Sequence, residues 1–402
     1  MDRSRIAEDR RCDRRTAVPV RQAGEKLSNY LSFGFIPDAE LASDYVKELL
    51  AGPALSGSDD PAALLTDILA DLTKDAPNIV IPLSGGRDSR ALLGAALRVF
   101  APSDIHCITF GSDRSADVEG ARVACAGAGV SHEVIDPDTI EWKLDELTAE
   151  MGRRLGARQG TPPIDGMVVF GRLSELVPPE VPVLSGYLGI IAVGKHLGGH
   201  SNEEDEAVLE RFFRQNRAIL DERPQLFRDF LRDHEGLRRH SPGLAKFDLL
   251  DLGFRQRLRI RSSVTGSFAR PVRPYEDRRW IAHWFSQPLE VRINYPRYDH
   301  LLAKAFPRIF GPQPLAARIQ RWRARRVGRG VYRGDPRNNA SMAAALGDAC
   351  RSFDSRGYGL GVSAQDAFAA MMKEPSHVAF RRVRWFATAE LIVRTQEIAS
   401  AS

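Results

Sequence analysis

Short apolar runs alternate with stretches of helical periodicity in the first half of the chain. The run at 78–83, NIVIPL, is apolar and partly β-branched, which is typical of a strand buried on both faces. Further strands are predicted at 105–111, 132–136 and 181–186, and helices at 61–72, 89–100 and 117–129. This alternation predicts an α/β fold, a doubly wound parallel sheet with helices on both faces.

Strand signals fade from about residue 203 onward. Segments such as 204–220 and 277–289 have helical spacing, so 201–402 is predicted to be mainly helical and packed on a core formed by 26–200. The arginine-rich lead 1–25 has no periodicity and is predicted to be disordered. The span near 312–339 is rich in arginine, glycine and proline, which predicts a mobile loop.

Composition places the chain among globular proteins. Of its 402 residues, 43% are hydrophobic and 27% charged, which supports a large core and excludes wholesale disorder. No apolar run approaches the length of a membrane span, and the charged start does not resemble a secretory signal, so a cytoplasmic protein is expected. The four cysteines are widely separated, which argues against a disulfide framework and a zinc site.

Charge is only mildly informative. Lys+Arg 57 against Asp+Glu 52 gives a net charge of +5, which suits a nucleotide or pyrophosphate as well as nucleic acid. The tract from Arg318 to Arg337 could contact RNA, but no recognised nucleic-acid module surrounds it, so nucleic acid is not the expected partner.

The strongest chemical signal is segment 83–89, LSGGRDS, between a predicted strand and a predicted helix. Adjacent glycines bring backbone N–H groups close to a ligand, and the helix N-terminus favours an anion. Ser84 and Ser89 add hydroxyl donors, and Asp88 suits a Mg²⁺ ion that bridges phosphates. The lysine of the GxxxxGK[ST] loop is missing. The segment predicts a phosphate-binding loop; the alternative is a plain turn with an aspartate helix cap.

The motif SGGxDS after a strand resembles the pyrophosphatase loop of N-type ATP-pyrophosphatases. Segments 29–38, 109–136 and 273–292 are similar to the synthetase domain of the asparagine synthetase and beta-lactam synthetase family, although the family's arginine position falls on Val272. The resemblance implies an adenine nucleotide alpha hydrolase-like fold, Mg²⁺ on Asp88, and ATP as cofactor. The ATP-binding residues it implies are Leu83, Ser84, Gly85, Gly86, Asp88, Ser89, Thr109, Phe110, Gly111 and Gly186.

The resemblance also implies an activity. A substrate carboxylate is adenylated with release of pyrophosphate, and ammonia or an amine then displaces AMP to form an amide. Asp2 stands where the family's glutaminase domain has its cysteine, and most of that domain's length is missing. We therefore expect a separate glutaminase or pathway partner, or an amine on the substrate itself.

Two alternatives stay open. Ile190 occupies the position of the family's second metal-binding aspartate, which allows a catalytically weakened nucleotide-binding homologue that acts as a partner subunit. The basic tracts allow a tRNA-modifying ATP-pyrophosphatase. Cys107 and Cys125 lie in apolar runs and are predicted to be core residues, which counts against sulfur-transferring members of that class.

The resemblance implies two catalytic side chains. Tyr187 matches a tyrosine that, with a carboxylate, deprotonates the amine. Glu222 and Asp221 are candidates for that carboxylate, but spacing alone does not assign either, and a tyrosine that merely lines the pocket wall is the alternative. Arg325 falls where the family has a lysine that stabilises the transition state.

The histidines give no metal motif. His196 and His200 have i, i+4 spacing, but the glycines between them disfavour a helix and hence a metal site. His132 is expected to be half-buried and structural.

Overall fold

A five-stranded parallel sheet forms the centre of the protein. The computed structural model describes residues 24–50, 60–112, 115–197, 204–293, 295–310, 334–358, 360–374 and 376–401. The strands are β1 (Ile79–Pro82), β2 (Ile105–Phe110), β3 (Ser131–Ile135), β4 (Val183–Leu184) and β5 (Pro271–Val272). All pairs are parallel, and the order is β3-β2-β1-β4-β5. The predicted α/β class with a parallel sheet is confirmed.

The strand order reverses beside β1. Register pairs Ile79 with Ile105 on one side of β1 and Val80 with Val183 on the other. Chain connections therefore leave β1 towards β2 and β3 on one side, and towards β4 and β5 on the other. The carboxyl ends of strands at such a switch point leave a crevice, which is where open α/β sheets bind ligands.

The fifth strand was not predicted, because strand signals were expected to end near residue 203. β5 is only two residues long and begins with Pro271, so it carries no strand periodicity. Its carbonyl groups complete the ladder: Val183 N–H donates to Arg270 O at 3.0 Å and Ser185 N–H to Val272 O at 2.8 Å. A proline is tolerated at such an edge because its missing N–H faces away from the ladder. The sheet thus draws on residues beyond the predicted core of 26–200.

Helices surround the sheet. In chain order they are α1 (Glu25–Phe33), α2 (Ala39–Leu50), α3 (Pro61–Leu72), α4 (Arg87–Ala96), α5 (Ala116–Ala128), α6 (Leu144–Gly156), α7 (Ile164–Leu176), α8 (Gly189–Ala192), α9 (Asp205–Asn216), α10 (Leu226–His234), α11 (Lys246–Leu250), α12 (Arg261–Thr265), α13 (Arg278–Phe285), α14 (Leu289–Arg292), α15 (Tyr295–Ala305), α16 (Pro307–Phe310), α17 (Ala340–Ser355), α18 (Ala364–Lys373) and α19 (His377–Ala401).

The two faces of the sheet carry separate hydrophobic cores. Side chains alternate along β1, so Ile79 and Ile81 join one core and Val80 joins the other. Helices α2 to α5 and α9 to α16 supply the first core, and α1, α6, α7 and α17 to α19 supply the second. The predicted helical second half is therefore divided between both faces.

A π-helix joins α11 to α12. It spans Asp251–Ile260 and continues the backbone of both neighbours. Its hydrogen bonds run from i to i+5, so residues five apart stack on one side of the helix. This spacing determines which of its side chains share a face.

The predicted lead 1–25 lies almost wholly outside the described residues, as does most of the predicted loop 312–339, including Arg325. None of the helices in the described part of the chain has the length and apolar character needed to cross a membrane.

Candidate functional site

A cavity lies at the carboxyl ends of β1 and β4, at the switch point of the sheet. Its volume is about 470 Å³, within the range of small-molecule sites. The loops after both strands form one wall, and the π-helix forms the facing wall. Lining residues are Pro82, Ser84, Gly86, Asp88, Ser89, Phe170, Ser185, Gly186, Tyr187, Leu188, Ile191, His196, Arg255, Gln256, Ile260 and Val264.

Two larger hollows lie elsewhere. One of about 670 Å³ opens between β3, α6 and α7, and one of about 590 Å³ between α3, α13 and α15. Neither contains a residue of the loops after β1 and β4. The switch-point cavity is the better candidate because glycine-rich backbone, a helix N-terminus and charged side chains converge on it.

The segment 84–89 after β1 is held in place by hydrogen bonds from its amides to side chains. Ser84 N–H donates to Ser89 Oγ at 3.1 Å, and Gly86 N–H donates to Ser84 Oγ at 3.1 Å. Gly85 N–H donates to Asp117 Oδ1 at 3.1 Å. All three amides are therefore occupied by side-chain oxygens, one of them a carboxylate, and a bound anion would have to displace these acceptors.

Glycine is needed where the loop meets its neighbours. A Cβ on Gly120 would lie 2.6 Å from Gly85 Cα, so α5 packs directly against the loop backbone. A Cβ on Gly189 would lie 2.7 Å from the Cβ of Asp88. The backbone at Gly189 thus lies directly against the Asp88 side chain, and a side chain at position 189 would clash there.

Asp88 lies in the first turn of α4, whose N-cap Gly86 provides no side-chain cap. The Asp88 carbonyl accepts a hydrogen bond from Tyr275 Oη at 2.8 Å, which ties the loop to the segment after β5. An aspartate in the first turn of a helix, beside a cradle of amides, suits a cation that bridges phosphates.

Among the described residues, no group of three or more His, Cys, Asp and Glu side chains could hold a metal. Mg²⁺ commonly uses one or two carboxylates together with phosphate oxygens and water. Asp88 therefore fits a Mg²⁺ ion that arrives with a nucleotide, not a metal held by protein alone. The backbone of Ile190 lies in α8, but its side chain is outside the described part of the structure.

The loop after β4 is strained. Leu188 has φ 69° and ψ −7°, in the left-handed region that a bulky residue rarely adopts. Such a conformation costs about 1–3 kcal/mol. Ser185 Oγ steadies the turn by accepting Tyr187 N–H at 3.2 Å. The surrounding packing holds this loop against Asp88 at that cost.

Tyr187 is buried, and its Oη lies 3.1 Å from Tyr45 Oη. Burial, followed by the negative charge of Glu276, raises the pKa of Tyr187 far above its ordinary value. Removal of the phenol proton is therefore harder than in water. The alternative of a tyrosine that lines the wall fits this geometry better than a proton acceptor.

The two candidate carboxylates for Tyr187 have other hydrogen-bond or ion-pair partners. Glu222 accepts a hydrogen bond from Ser28 Oγ at 2.5 Å, and Asp221 pairs with Arg217 and Arg223. The nearby carboxylate is instead that of Glu276, in the segment after β5. No sequence signal places it beside Tyr187.

The facing wall presents two polar side chains from the π-helix. Arg255 Nη1 donates to Asp251 Oδ1 at 2.9 Å, and Gln256 Nε2 donates to Asp251 Oδ2 at 2.8 Å. Asp251 is fully buried. One carboxylate can serve residues four and five positions away because the π-helix brings both onto its side. Arg255 lines the same cavity as Asp88 and brings a guanidinium group to it.

His196 also lines this wall. Its Nε2 lies 2.6 Å from Asp248 Oδ1, and Arg292 donates to both oxygens of Asp248 at 2.6 and 3.0 Å. Burial alone would raise the pKa of Asp248, but Arg292 and His196 outweigh it and hold that pKa well below the ordinary value. Asp248 is therefore an anion, and it accepts the Nε2 proton of His196.

Several expected ATP-binding residues do not line the cavity. Leu83 is buried, and its carbonyl accepts Thr109 Oγ1 at 2.7 Å. Phe110 is buried and packs edge-on against Phe170, a residue that does line the cavity. Gly111 donates to Ile135 O at 3.1 Å. Gly85 is not a lining residue either, and its backbone packs against α5.

Smaller expectations agree with the structure. His132 is half-buried and lies 2.8 Å from Thr109 Oγ1, a structural role. Cys107 and Cys125 are buried in the core, and the proximity of Cys125 together with burial raises the pKa of Cys107. Neither thiol is placed for nucleophilic chemistry.

Sequence reasoning missed the whole facing wall. His196 was examined only as a metal ligand, and Arg255 and Gln256 were not considered. The one available signal is the alternation of arginine over 255–261, RQRLRIR, beside two aspartates. This alternation has the two-residue period of a strand, whereas the segment folds as a π-helix, so the sequence pattern does not reveal which side chains share a face.

Comparisons with known proteins give no family for this chain. No family model matches it, and a search of curated proteins finds no match.

Proposed function

We propose that this protein is an ATP-dependent amide-forming ligase with an adenine nucleotide alpha hydrolase-like core. ATP would bind in the switch-point cavity, and a substrate carboxylate would attack the α-phosphate to form an acyl-adenylate and pyrophosphate. Ammonia or an amine would then displace AMP. The observation that carries the proposal is that an SGGxDS loop, a second glycine loop and the guanidinium of Arg255 line one cavity.

Each chemical requirement has a candidate in the cavity. The loop amides and Ser84 would hold phosphate oxygens, displacing the side-chain acceptors that they contact now. Arg255 would stabilise charge that develops on the leaving pyrophosphate or AMP, the role first expected of Arg325. Tyr187 would shape the wall. Positioning and charge stabilisation are the main demands of such chemistry.

Mg²⁺ would be held by Asp88 together with the phosphates of ATP. The ion would supply charge neutralisation for the triphosphate. Phe170 would offer an apolar surface next to Phe110, the position where the resemblance expects the adenine. The cavity is large enough to hold a nucleotide together with part of a small acid.

Exchange of labelled pyrophosphate into ATP tests the proposal, with a panel of amino acids and dicarboxylic acids as substrates. At least one acid should support Mg²⁺-dependent exchange, and Asp88→Ala should abolish it. The matched control is Asp67→Ala, which removes an exposed carboxylate of α3 and should leave exchange intact. Exchange that survives Asp88→Ala would contradict the metal assignment.

A second candidate is a nucleotide-binding partner subunit without catalysis. It is favoured by Ile190 at the expected metal position and by the absence of an acidic cluster among the described residues. Binding of Mg·ATP without exchange, for every acid in the panel, would favour this candidate. Under either candidate function, a separate glutaminase or pathway partner remains to be found. The test is whether glutamine replaces ammonia only when that partner is added.

A further inference from the structure

The switch-point cavity has an apolar side beyond its glycine loops. Ile260 at the end of the π-helix and Val264 on α12 both line it, and each residue is half-buried. The two residues are four positions apart in a continuous helical backbone, which places them on the same side of it. Leu188 and Ile191 line the same cavity. A ligand that extends past the loops therefore meets hydrocarbon side chains.

The ion pairs behind this cavity compensate their own charges. Arg255 lines the cavity and is bonded to Asp251, while Arg292 is bonded to Asp248. Both aspartates are fully buried, and neither is a lining residue. Each pair therefore sums to zero. Among the described lining residues, the one carboxylate is that of Asp88, in the SGGxDS loop.

A second charge on the substrate acid would be poorly matched in these surroundings. An ammonium group would meet no described lining carboxylate except Asp88, which the proposed function assigns to Mg²⁺. A second carboxylate would meet the guanidinium of Arg255, whose charge Asp251 already compensates. Moving a charge out of water without a counter-charge is costly, whereas a hydrocarbon chain gains free energy when it is buried.

We propose that the acid activated in this cavity is an apolar monocarboxylic acid, whose chain packs on Ile260 and Val264 and whose only charge is the reacting carboxylate. The inference rests on the proposed ligase function and names its substrate class. A carboxylate oxygen attacks the α-phosphorus of ATP, and the bond from that phosphorus to the bridging oxygen breaks, so pyrophosphate leaves with the electron pair. The apolar chain takes no part in the bond changes and supplies binding energy.

Acids of equal length test the substrate class. Hexanoate, adipate and 6-aminohexanoate have the same number of carbons and differ at the far end, which is a methyl group, a carboxylate or an aminomethyl cation. In Mg²⁺-dependent pyrophosphate exchange, hexanoate should exceed each charged acid about 30-fold or more in kcat/KM. Equal or better exchange with adipate would mean that Arg255 binds a second carboxylate, and it would overturn the inference. Equal or better exchange with 6-aminohexanoate would overturn it too.

Chain length gives an independent test of the packing. From acetate through butyrate to hexanoate, kcat/KM should rise about fourfold for each added methylene, because each one buries apolar surface. A kcat/KM that does not depend on chain length would overturn the assignment of Ile260 and Val264 as the surface that holds the chain.

A charged substitution should invert the preference. In Val264→Asp the new carboxylate gives an ammonium group a partner, so exchange with 6-aminohexanoate should rise about tenfold or more and exchange with hexanoate should fall about tenfold. The matched control is Val378→Asp, the same substitution at a residue of α19 that is 53% exposed, and it should alter neither rate. An unchanged order of the two acids in Val264→Asp would contradict the inference.

A larger apolar residue provides a second variant, should Val264→Asp fail to fold. Val264→Phe takes up space in the cavity, so exchange with hexanoate should fall about tenfold while exchange with acetate changes less than threefold. An equal change with both acids would show that the chain does not lie beside Val264.

Titration calorimetry adds a readout that does not depend on turnover. In the presence of Mg²⁺ and a non-hydrolysable ATP analogue, hexanoate should bind more tightly than the two charged acids, with a negative heat-capacity change. Exchange with adipate or with amino acids, but not with hexanoate, rejects the apolar substrate class and leaves the ligase standing. Absence of exchange with every acid, the monocarboxylic acids included, rejects the ligase and this inference with it.

Discussion

The two walls of the switch-point cavity achieve precise geometry in different ways. The loop wall relies on backbone: glycines allow contact between the turns after β1 and β4, and side-chain oxygens hold the amides in place. The helical wall relies on buried charge, because Asp248 and Asp251 each anchor two polar side chains. Loss of a small residue should damage the first wall, and loss of a buried carboxylate should damage the second.

The largest effect is expected on the helical wall, from Asp248→Ala. Removal of this carboxylate leaves the buried guanidinium of Arg292 without its counter-ion, which should lower the free energy of unfolding by about 3–5 kcal/mol. Asp205→Ala is the control: its ion pair with Lys246 is half-exposed and should cost less than about 1 kcal/mol. Urea denaturation measures both; equal costs would show that the wall does not depend on buried charge.

The lowered pKa of Asp248 predicts that the folded protein loses stability in acid. The folded state lowers the pKa of Asp248, so its contribution is present above the ordinary carboxyl pKa of about 4 and is lost as the pH falls towards the folded value. Stability of the unsubstituted protein should therefore decline below about pH 4, and part of that decline should be missing in Asp248→Ala. Urea denaturation at pH 3.5 and pH 7 checks this.

The loop wall should be broken by Gly120→Ala. The new methyl group would meet the backbone of Gly85 at 2.6 Å, so α5 must move or the loop must open, at about 1–3 kcal/mol. Mg·ATP affinity should fall with it. Gly171→Ala in α7 meets no atom within 4 Å and should stabilise the protein by about 0.5–1 kcal/mol. Thermal unfolding and ATP titration compare the two; normal affinity in Gly120→Ala would contradict the packing argument.

Tyr187→Phe tests whether Tyr187 only lines the cavity or takes part in the proposed reaction. It removes the hydroxyl that faces Tyr45, at a cost of about 1 kcal/mol, and should leave amide formation within tenfold of normal. Denaturation and product formation are measured together. A much larger loss of amide formation, with pyrophosphate exchange intact, would restore Tyr187 as the proton acceptor.

The smallest effect is expected at His132, behind the loop wall. Burial, then the charges of Arg122 and His106, lower its pKa, so the unfolded chain takes up a proton first as the pH falls below about 6.5. Stability should decrease slightly between pH 7 and pH 5. In His132→Gln, whose amide can still reach Thr109 Oγ1, this dependence should flatten. An unchanged slope would show that other groups cause it.

The loop wall could be predicted from sequence because its determinants are local. An apolar strand, two adjacent glycines and a helix start occur within about a dozen residues around Ser84. Each of these features can be recognised from its residue types. The structure confirms β1 at Ile79–Pro82 and α4 at Arg87–Ala96 in that order. Gly186 after β4 was placed by the same type of motif.

The helical wall could not be predicted because its determinants are distant. Asp248 serves His196 across 52 positions and Arg292 across 44, and such pairs leave no periodic signal. β5 could not be predicted either, because a strand of two residues has no hydrophobic periodicity. Glu276, the carboxylate that acts on Tyr187, lies in the segment 273–292 that the motif comparison singled out, but no sequence signal places it beside Tyr187.

Because the segment is a π-helix, the number of its residues, and not only their types, determines which groups line the cavity. In an α-helix each residue turns the chain by about 100°, so losing one position between Asp251 and Ile260 would swing one end of the segment by that angle. If the position is lost after Gln256 and the segment becomes an α-helix, Gln256 moves off the side that Asp251 occupies, while Arg255, four residues on, stays there. A chain with the same amino acids but a single deletion there would present a different set of groups to the cavity.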